Sequence, residues 1–441
     1  MSNKKHENFS KAFEIDDSGK KNYFKCVNCE KEYQINQVRF RCEDCGDILD
    51  IEIDEVSVSR KTFDARLGAQ KGTDVSGVWR FKEILPAIPE DSISTRKEGN
   101  TRLYYSEILN KKLGLDDFHL KHEGENPTLS FKDRGMTVAI SRGIAMGYEK
   151  FVCASTGNTS ASLASYCAHA GKQGVILVPD GKVSMGKLSQ ALALGAKVLQ
   201  VKGNFDDAMK IVIDESEKLG LYILNSINPF RVEGQKTIVW EIFQNLNWEI
   251  PDWIVLPAGN LGNTSAFGKA IREAKKFGLI KKTPRIASIQ AEGANPFFLS
   301  FKNDFQELEK QKNPETIATA IRIGAPVSWK KARRAILETD GVVEEVSDEE
   351  IMNAKALIDN SGIGCEPASA CSVAGLIKLK KKGIIKKSDK VVGILTGNLL
   401  KDPDATFNYH FDKLPYPADH KNEPIVTEAT PSAIQAALDK K

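Results

Sequence analysis

The chain has 441 residues, more than one hydrophobic core usually serves, so two or more domains are expected. Hydrophobic residues make up 41% and charged residues 27%, an ordinary globular balance, and the formal net charge of +3 is too small for this length to point to nucleic acid or a membrane surface. No stretch approaches the ~18 consecutive apolar residues of a membrane helix, and Met1–Lys21 is polar with no apolar signal-peptide core, so a cytoplasmic protein without a membrane partner is expected.

Residues 20–52 read as a zinc-ribbon-like module. Cys26-x-x-Cys29 and Cys42-x-x-Cys45 frame twelve intervening residues, and two such knuckles offer four thiolates to a tetrahedral structural Zn2+ with no position left for water. Metal-free or redox-active thiols are the alternative. So small a unit buries little surface alone and needs the metal or the main body for support. The other cysteines, Cys153, Cys167, Cys365 and Cys371, lie in strand- and helix-like sequence and read as core residues kept reduced. Residues 53–79, charged between Asp54 and Arg66, read as a linker.

From residue 80 the pattern becomes an alternation. Strands are predicted at Phe118–His122, Phe151–Ala154, Gly174–Pro179, Lys197–Lys202, Tyr222–Asn225, Trp253–Pro257, Arg285–Gln290 and Lys390–Leu395. Amphipathic stretches lie between them, among them Met185–Leu194, Phe205–Leu219, Thr264–Phe277 and Glu349–Asp359. Near-continuously apolar strands alternating with helices predict an α/β fold of parallel sheets covered on both faces. So many strands imply two open twisted sheets. The body spans residues 80–405 in two α/β subdomains, the smaller roughly 130–227. The Lys-rich run Lys378–Lys387 reads as a solvated helix face and turn, and the tail 406–441 as irregular with a helix-like Ser432–Lys440.

Four segments carry candidate chemistry. His122–Met136 follows a strand and opens a helix near Ser130, which puts Lys132 in the first helical turn. The partial positive charge there and any burial favour the neutral amine that a Schiff base with an aldehyde cofactor requires; a solvated first-turn lysine is the plain alternative. Cys153–Ser162 ends a strand in a Ser/Thr/Gly/Asn turn before a helix of small residues, either an anion cradle of backbone amides or a well-capped helix. Leu256–Ser265 delivers a Gly/Asn loop to a helix, a phosphate-cupping arrangement that matches neither the dinucleotide fingerprint nor a Walker loop. Val391–Asn398 ends a buried strand in the hydroxyl of Thr396.

Together these segments resemble the fold-type II pyridoxal-phosphate (PLP) enzymes, the group built like the tryptophan synthase β subunit. The resemblance implies PLP as a Schiff base on Lys132, a ring contact from Asn158, a phosphate loop of Gly259, Asn260, Leu261, Gly262 and Asn263, and Thr396 facing the pyridine nitrogen. The stretches Glu98–Leu103, Asn126–Gly135, Asn225–Gln235, Thr316–Gly324 and Gly364–Ser369 narrow it to the threonine synthases, over residues 80 to 405. That family converts O-phospho-L-homoserine and water to L-threonine and phosphate. The resemblance then implies Ser155, Thr156, Asn158 and Thr159 at the substrate carboxylate, and Asn225, Ser226 and Arg231 at its phosphate; a surface ion pair is the other reading of Arg231. It also implies a homodimer, and some members carry a ribbon ahead of the PLP body. Arg102 stands where the family usually has proline and Leu129 where glycine is common, which bears on loop conformation and substrate preference. The rivals are a sister PLP activity, such as threonine dehydratase or cysteate synthase, and a ribbon-bearing binding module with an inactive body.

Overall fold

The computed structural model describes residues 22–54, 56–181, 185–202, 210 and 212–439. The expectations for Met1–Lys21, most of the first half of Phe205–Leu219 and Lys440 lie outside the described residues.

The N-terminal unit is a three-stranded antiparallel sheet in which β1 (Asn22–Cys26) lies between β2 (Glu32–Gln34) and β3 (Leu49–Ile53). Alternation along β1 and β3 puts Phe24, Leu49, Ile51 and Ile53 on one apolar face. That face packs into a cluster shared with Val138, Ile140, Tyr166, Leu224 and Phe230 of the body, with Phe24 edge-on to Phe230 at 5.9 Å. Asp50 is buried beneath the sheet against Lys269 (3.3 Å), Lys331 (3.2 Å) and Arg334 (3.0 Å). Past the sheet, Ser59 caps the short helix Arg60–Asp64, whose Phe63 is buried among Phe81, Trp240 and Trp248.

The body holds two further sheets among the described residues. One has the order β12-β11-β10-β13-β5-β4: Val342–Val346, Arg285–Ala291, Trp253–Pro257, Lys390–Leu395, Asp117–His122 and Leu103–Tyr105, parallel except for β4. The other is parallel throughout in the order β8-β7-β6-β9: Lys197–Val201, Gln173–Pro179, Lys150–Ala154 and Leu221–Ile223. The eight strands expected in the body are present, shifted by up to two residues at their ends. Two more, β4 and β12, close the edges of the larger sheet. An edge strand needs no continuous apolar run, and Glu344 and Glu345 interrupt β12, with Glu344 paired to Lys382 at 2.5 Å.

The helices used below are α1 (Lys132–Ala145), α2 (Asn158–His169), α3 (Met185–Ala193), α4 (Pro229–Asn245), α5 (Gly262–Lys276), α6 (Trp329–Glu338), α7 (Asp348–Asp359) and α8 (Pro367–Lys381). Helices α1 and α4 cross in near backbone contact. A Cβ on Gly234 would fall 1.7 Å from the Arg134 carbonyl oxygen, and one on Gly135 2.7 Å from that of Arg231, so both positions require glycine. In the tail, the helix Pro403–His410 buries Tyr409 against Met352 and Ala356, while the helix Pro431–Leu438 buries nothing.

Beside that crossing lies a buried ionic cluster. Glu241 of α4 accepts from Arg134 of α1 (2.6 Å), Lys121 of β5 (2.9 Å) and Arg80 (3.0 Å). Glu123 takes Arg134 on both oxygens (2.6 and 2.7 Å). These cations hold the Glu241 carboxyl far below the usual carboxylate range despite burial. Removing Glu241 leaves three buried cations facing Glu123 alone. Glu241→Ala is expected to cost about 3–5 kcal/mol, because breaking a buried pair strands its charged partners; denaturant unfolding followed by near-ultraviolet dichroism measures the loss, and stability within 1 kcal/mol of the parent chain would contradict it.

Candidate active site

The carboxyl ends of β5, β6, β10 and β13 open onto one cavity of about 580 Å³, the position where parallel α/β sheets leave a crevice for ligands. All fourteen residues expected in the cofactor and substrate sites line it: Lys132, Ser155, Thr156, Asn158, Thr159, Asn225, Ser226, Arg231, Gly259, Asn260, Leu261, Gly262, Asn263 and Thr396.

Lys132 is the first residue of α1, and its amine lies 4.2 Å from the centre of the Phe131 ring. The side chain is in contact with the cavity but walled by protein. This burial pushes the amine down to about 7, with the Arg231 charge acting in the same direction and Glu366 opposing both. The turn before it is held by the end of β13: the Phe131 amide bonds the Thr396 carbonyl (3.0 Å) and the Leu129 carbonyl accepts from Asn398 (3.0 Å). Leu129 has φ of 67°, in the left-handed region, which is why glycine suits this position. Its side chain lines the cavity. Arg102 is exposed and outside the lining; its amide donates to Glu125 (2.7 Å) and its guanidinium faces Tyr104. Asp133, next to the lysine, accepts from the Thr128 amide (2.7 Å), the Thr128 hydroxyl (2.6 Å) and Ser162 of α2 (2.6 Å), and burial pushes its carboxyl up to about 6.

The loop after β6 reaches α2 at Asn158, and Gly157 and Ser160 tie it internally through the Ser155 hydroxyl and the Gly157 carbonyl. Asn158 directs its side-chain amide to both oxygens of Glu366, each at 3.3 Å. After β10, the Ala258 amide bonds Ile289 and the Ser265 amide bonds back to Leu261. The amides between them are those that a helix start leaves open, and α5 begins at Gly262. A Cβ on Gly259 would sit 2.9 Å from the Ile321 Cα, so the loop is closed on its outer side. The side-chain oxygens of Asn263 and Gln235 and the Ser130 hydroxyl are buried at or beside the cavity without a hydrogen-bonding partner. Open amides and unpartnered polar atoms around one void suit an anionic, hydrogen-bonding cofactor. Thr396 meets the Ser369 hydroxyl at 3.0 Å.

Arg231 of α4 is buried, donates to the Leu224 carbonyl (3.1 Å), leaves its Nε unpartnered and makes no ion pair among the described residues. The surface-ion-pair reading therefore does not describe it. Beside it, Asn225 accepts from the Ala154 amide (3.2 Å). The cavity wall also includes Gln235, Arg322, Glu366 and Lys401, which the sequence reading did not single out for chemistry. Gln235 could have been found from its place one helical turn after Arg231, and Glu366 from its place directly before a helix-starting proline.

Away from the cavity, the four sulfurs of Cys26, Cys29, Cys42 and Cys45 lie within 4.8 Å of one another. The Cys26–Cys45, Cys29–Cys42 and Cys29–Cys45 separations are 3.4, 3.5 and 3.6 Å. Four thiolates at a Zn–S distance of 2.3 Å span edges of about 3.8 Å, so the cluster fits a tetrahedral metal.

Comparison with known proteins gives concordant results. A family model described as "Pyridoxal-phosphate dependent enzyme" matches residues 94–397. Threonine synthase from Methanocaldococcus jannaschii is 48% identical over 382 residues, 86% of this chain and 93% of that one. Threonine synthase from Methanosarcina acetivorans is 45% identical over 418 residues, 94% of this chain and 98% of that one. The crystal structure of threonine synthase from Escherichia coli superposes with a TM-score of 0.66 at 20% identity, over 94% of this chain and 99% of that one, a likeness of fold. The chain belongs to the pyridoxal-phosphate dependent enzymes and, among them, to the threonine synthases.

Proposed function

We propose that this chain forms L-threonine and phosphate from O-phospho-L-homoserine and water, with PLP carried on Lys132. The observation that carries this reading is Arg231: a buried guanidinium without a carboxylate partner, in the same cavity as the lysine but on a different element from the phosphate-cupping loop. One anion subsite serves the cofactor, and the second calls for a phosphate on the substrate.

PLP, when bound, supplies the electron sink that makes hydrogens at Cα and then Cβ labile. The chain supplies placement and proton transfer. The Gly259–Asn263 amides would hold the cofactor phosphate, with Asn158 for the ring hydroxyl and Thr396, backed by Ser369, as a neutral partner for the ring nitrogen. The turn Ser155–Thr159 takes the substrate carboxylate. Arg231, with Asn225 and Ser226, takes the substrate phosphate and keeps it oriented as the Cγ–O bond breaks. The Lys132 amine, whose affinity for a proton burial and Arg231 lower, moves protons at the substrate carbons. The cysteine cluster is read as a structural Zn2+ site, since all four thiolates are used and none is left to activate water. We read the protein as a cytoplasmic homodimer acting on this small molecule without nucleic-acid or membrane partners; the four unpaired cysteines buried in the body agree with a reducing compartment, and no helix among the described residues is long and apolar enough to cross a membrane.

The purified protein is expected to release phosphate and threonine in equal amounts from O-phospho-L-homoserine. Arg231→Ala should lower kcat/KM at least about 100-fold, since each charge-assisted bond contributes roughly 1.5–3 kcal/mol, while the visible absorbance of bound cofactor stays unchanged. Unchanged kinetics would remove Arg231 from the substrate subsite. Turnover of phosphoserine with sulfite, but not of phosphohomoserine, would move the assignment to the sister activity.

Capture of PLP by the cofactor-free chain needs the neutral amine, so its rate should rise through pH about 7 and level off above it. Removing the neighbouring cation in Arg231→Ala should move that midpoint to higher pH, because Arg231 lowers the lysine's affinity for protons. Stopped-flow absorbance at a series of pH values reads both; a midpoint near the ordinary lysine value would contradict the first expectation.

Elemental analysis of protein purified under reducing conditions should find stoichiometric zinc, lost in the double variant Cys26→Ser, Cys42→Ser. Metal-free wild-type protein would sink the ribbon reading.

A further inference from the structure

The buried carboxylates separate into groups by what holds them. Among the described residues six pair with a lysine or arginine at 3.0 Å or less, Glu241 and Asp50 among them. Glu98 and Asp133 have no such cation, but each accepts at least three hydrogen bonds of 3.0 Å or less. Glu366 has neither kind of support. It is 5% exposed, and among the described residues its side chain is bonded by the Asn158 amide alone, at 3.3 Å to each oxygen, with no ion pair. It lines the cavity together with Lys132, Lys401 and Asp402.

The proposed reaction makes a demand that this placement meets. Hydrogen leaves Cα and Cβ, the Cγ–O bond breaks with phosphate taking the electron pair, and water adds its oxygen to Cβ. Protons released at Cα, at Cβ and from water are taken up at Cγ, at Cα and on the departing phosphate, so three are released and three consumed. A neutral Lys132 amine that has taken the Cα proton is an ammonium and cannot take the Cβ proton until it has passed the first one on.

We propose that Glu366 is the proton-relay partner of Lys132, a carboxylate that accepts the Cα proton from the lysine ammonium, frees the amine for the Cβ hydrogen, and later returns the proton. The inference rests on the reaction proposed above. Burial already pushes this carboxyl up from the usual carboxylate range, against the pull of Asn158, Lys401 and Lys132, so its protonated form is accessible.

The test uses the PLP-loaded enzyme and L-2-amino-5-phosphonopentanoate, in which carbon replaces the bridging oxygen and no phosphate can leave. In deuterium oxide, magnetic resonance follows exchange at Cα and at Cβ separately. Glu366→Gln should leave Cα exchange within about threefold of wild type and slow Cβ exchange at least 100-fold, and Glu366→Asp should recover part of the Cβ rate. Cβ exchange within threefold of wild type in Glu366→Gln, or equal slowing of both positions, overturns the relay. An independent reading comes from the cofactor-free protein. Its infrared spectrum should show a protonated-carboxyl band that forms above the ordinary carboxylate range on acidification and is missing in Glu366→Gln; no difference between the two proteins also overturns the proposal. Threonine formation from phosphohomoserine by the wild type tests the underlying reaction separately, without entering either comparison.

Discussion

The spacing of the two cations at the heart of the cavity depends on how α1 meets α4. Lys132 opens one of these helices and Arg231 lies in the first turn of the other, so the distance between the amine and the buried guanidinium is set by a helix crossing. Two glycines bring the backbones together, and the Arg134–Glu241 pair, with Glu123, Lys121 and Arg80 around it, fixes the rotation of one helix on the other. Apolar packing would bring the helices together but would tolerate sliding. A buried cluster whose every charge needs a matching partner fixes one register, because a slip of one residue would strand a charge in the interior. The cavity inherits its precision from this contact, within one helical turn of Lys132.

The cavity itself is electrostatically unfinished. Arg231 and Lys401 line it with Lys132, Glu366 and Asp402, and Arg231 has no carboxylate paired to it among the described residues, while Arg322 stands exposed at the edge and pairs with Glu315. Burial and Arg231 lower the affinity of Lys132 for a proton, and the same environment favours anions entering. One arrangement of charge thus prepares the amine for an aldehyde and supplies counter-charges for phosphate and carboxylate.

Much of this could be read from the chain. The strands buried on both faces announced themselves as apolar runs, as in Trp253–Pro257, and the loops after them carried Ser, Thr, Gly and Asn in the order the cavity uses. The edge strand β12 was missed because Glu344 and Glu345 break its apolar run, whereas β8 and β9, at the edges of the smaller sheet, kept theirs. Glu366 was not singled out because its place before a proline-started helix suits a cap as well as a chemical group; that no lysine or arginine among the described residues closes on it as an ion pair is a property of packing, visible only when distant segments are brought together. Leu129 was legible as a departure from the family, but its left-handed backbone needed coordinates. The cysteine pairs announced a four-sulfur cluster, yet nothing in their spacing told that β3 would place Asp50 among cations of α5 and α6.

That last contact bears on how the protein is assembled. Asp50 meets Lys269 and Lys331 across 219 and 281 residues of chain. During synthesis at roughly 5–20 residues per second, the ribbon emerges on the order of tens of seconds before the helices that receive it. Over that interval the apolar face of Phe24 and Ile51 has no body to cover it, and Asp50 has none of the cations that later surround it. The small sheet therefore waits with its carboxylate uncompensated until α5 and α6 arrive to neutralise it.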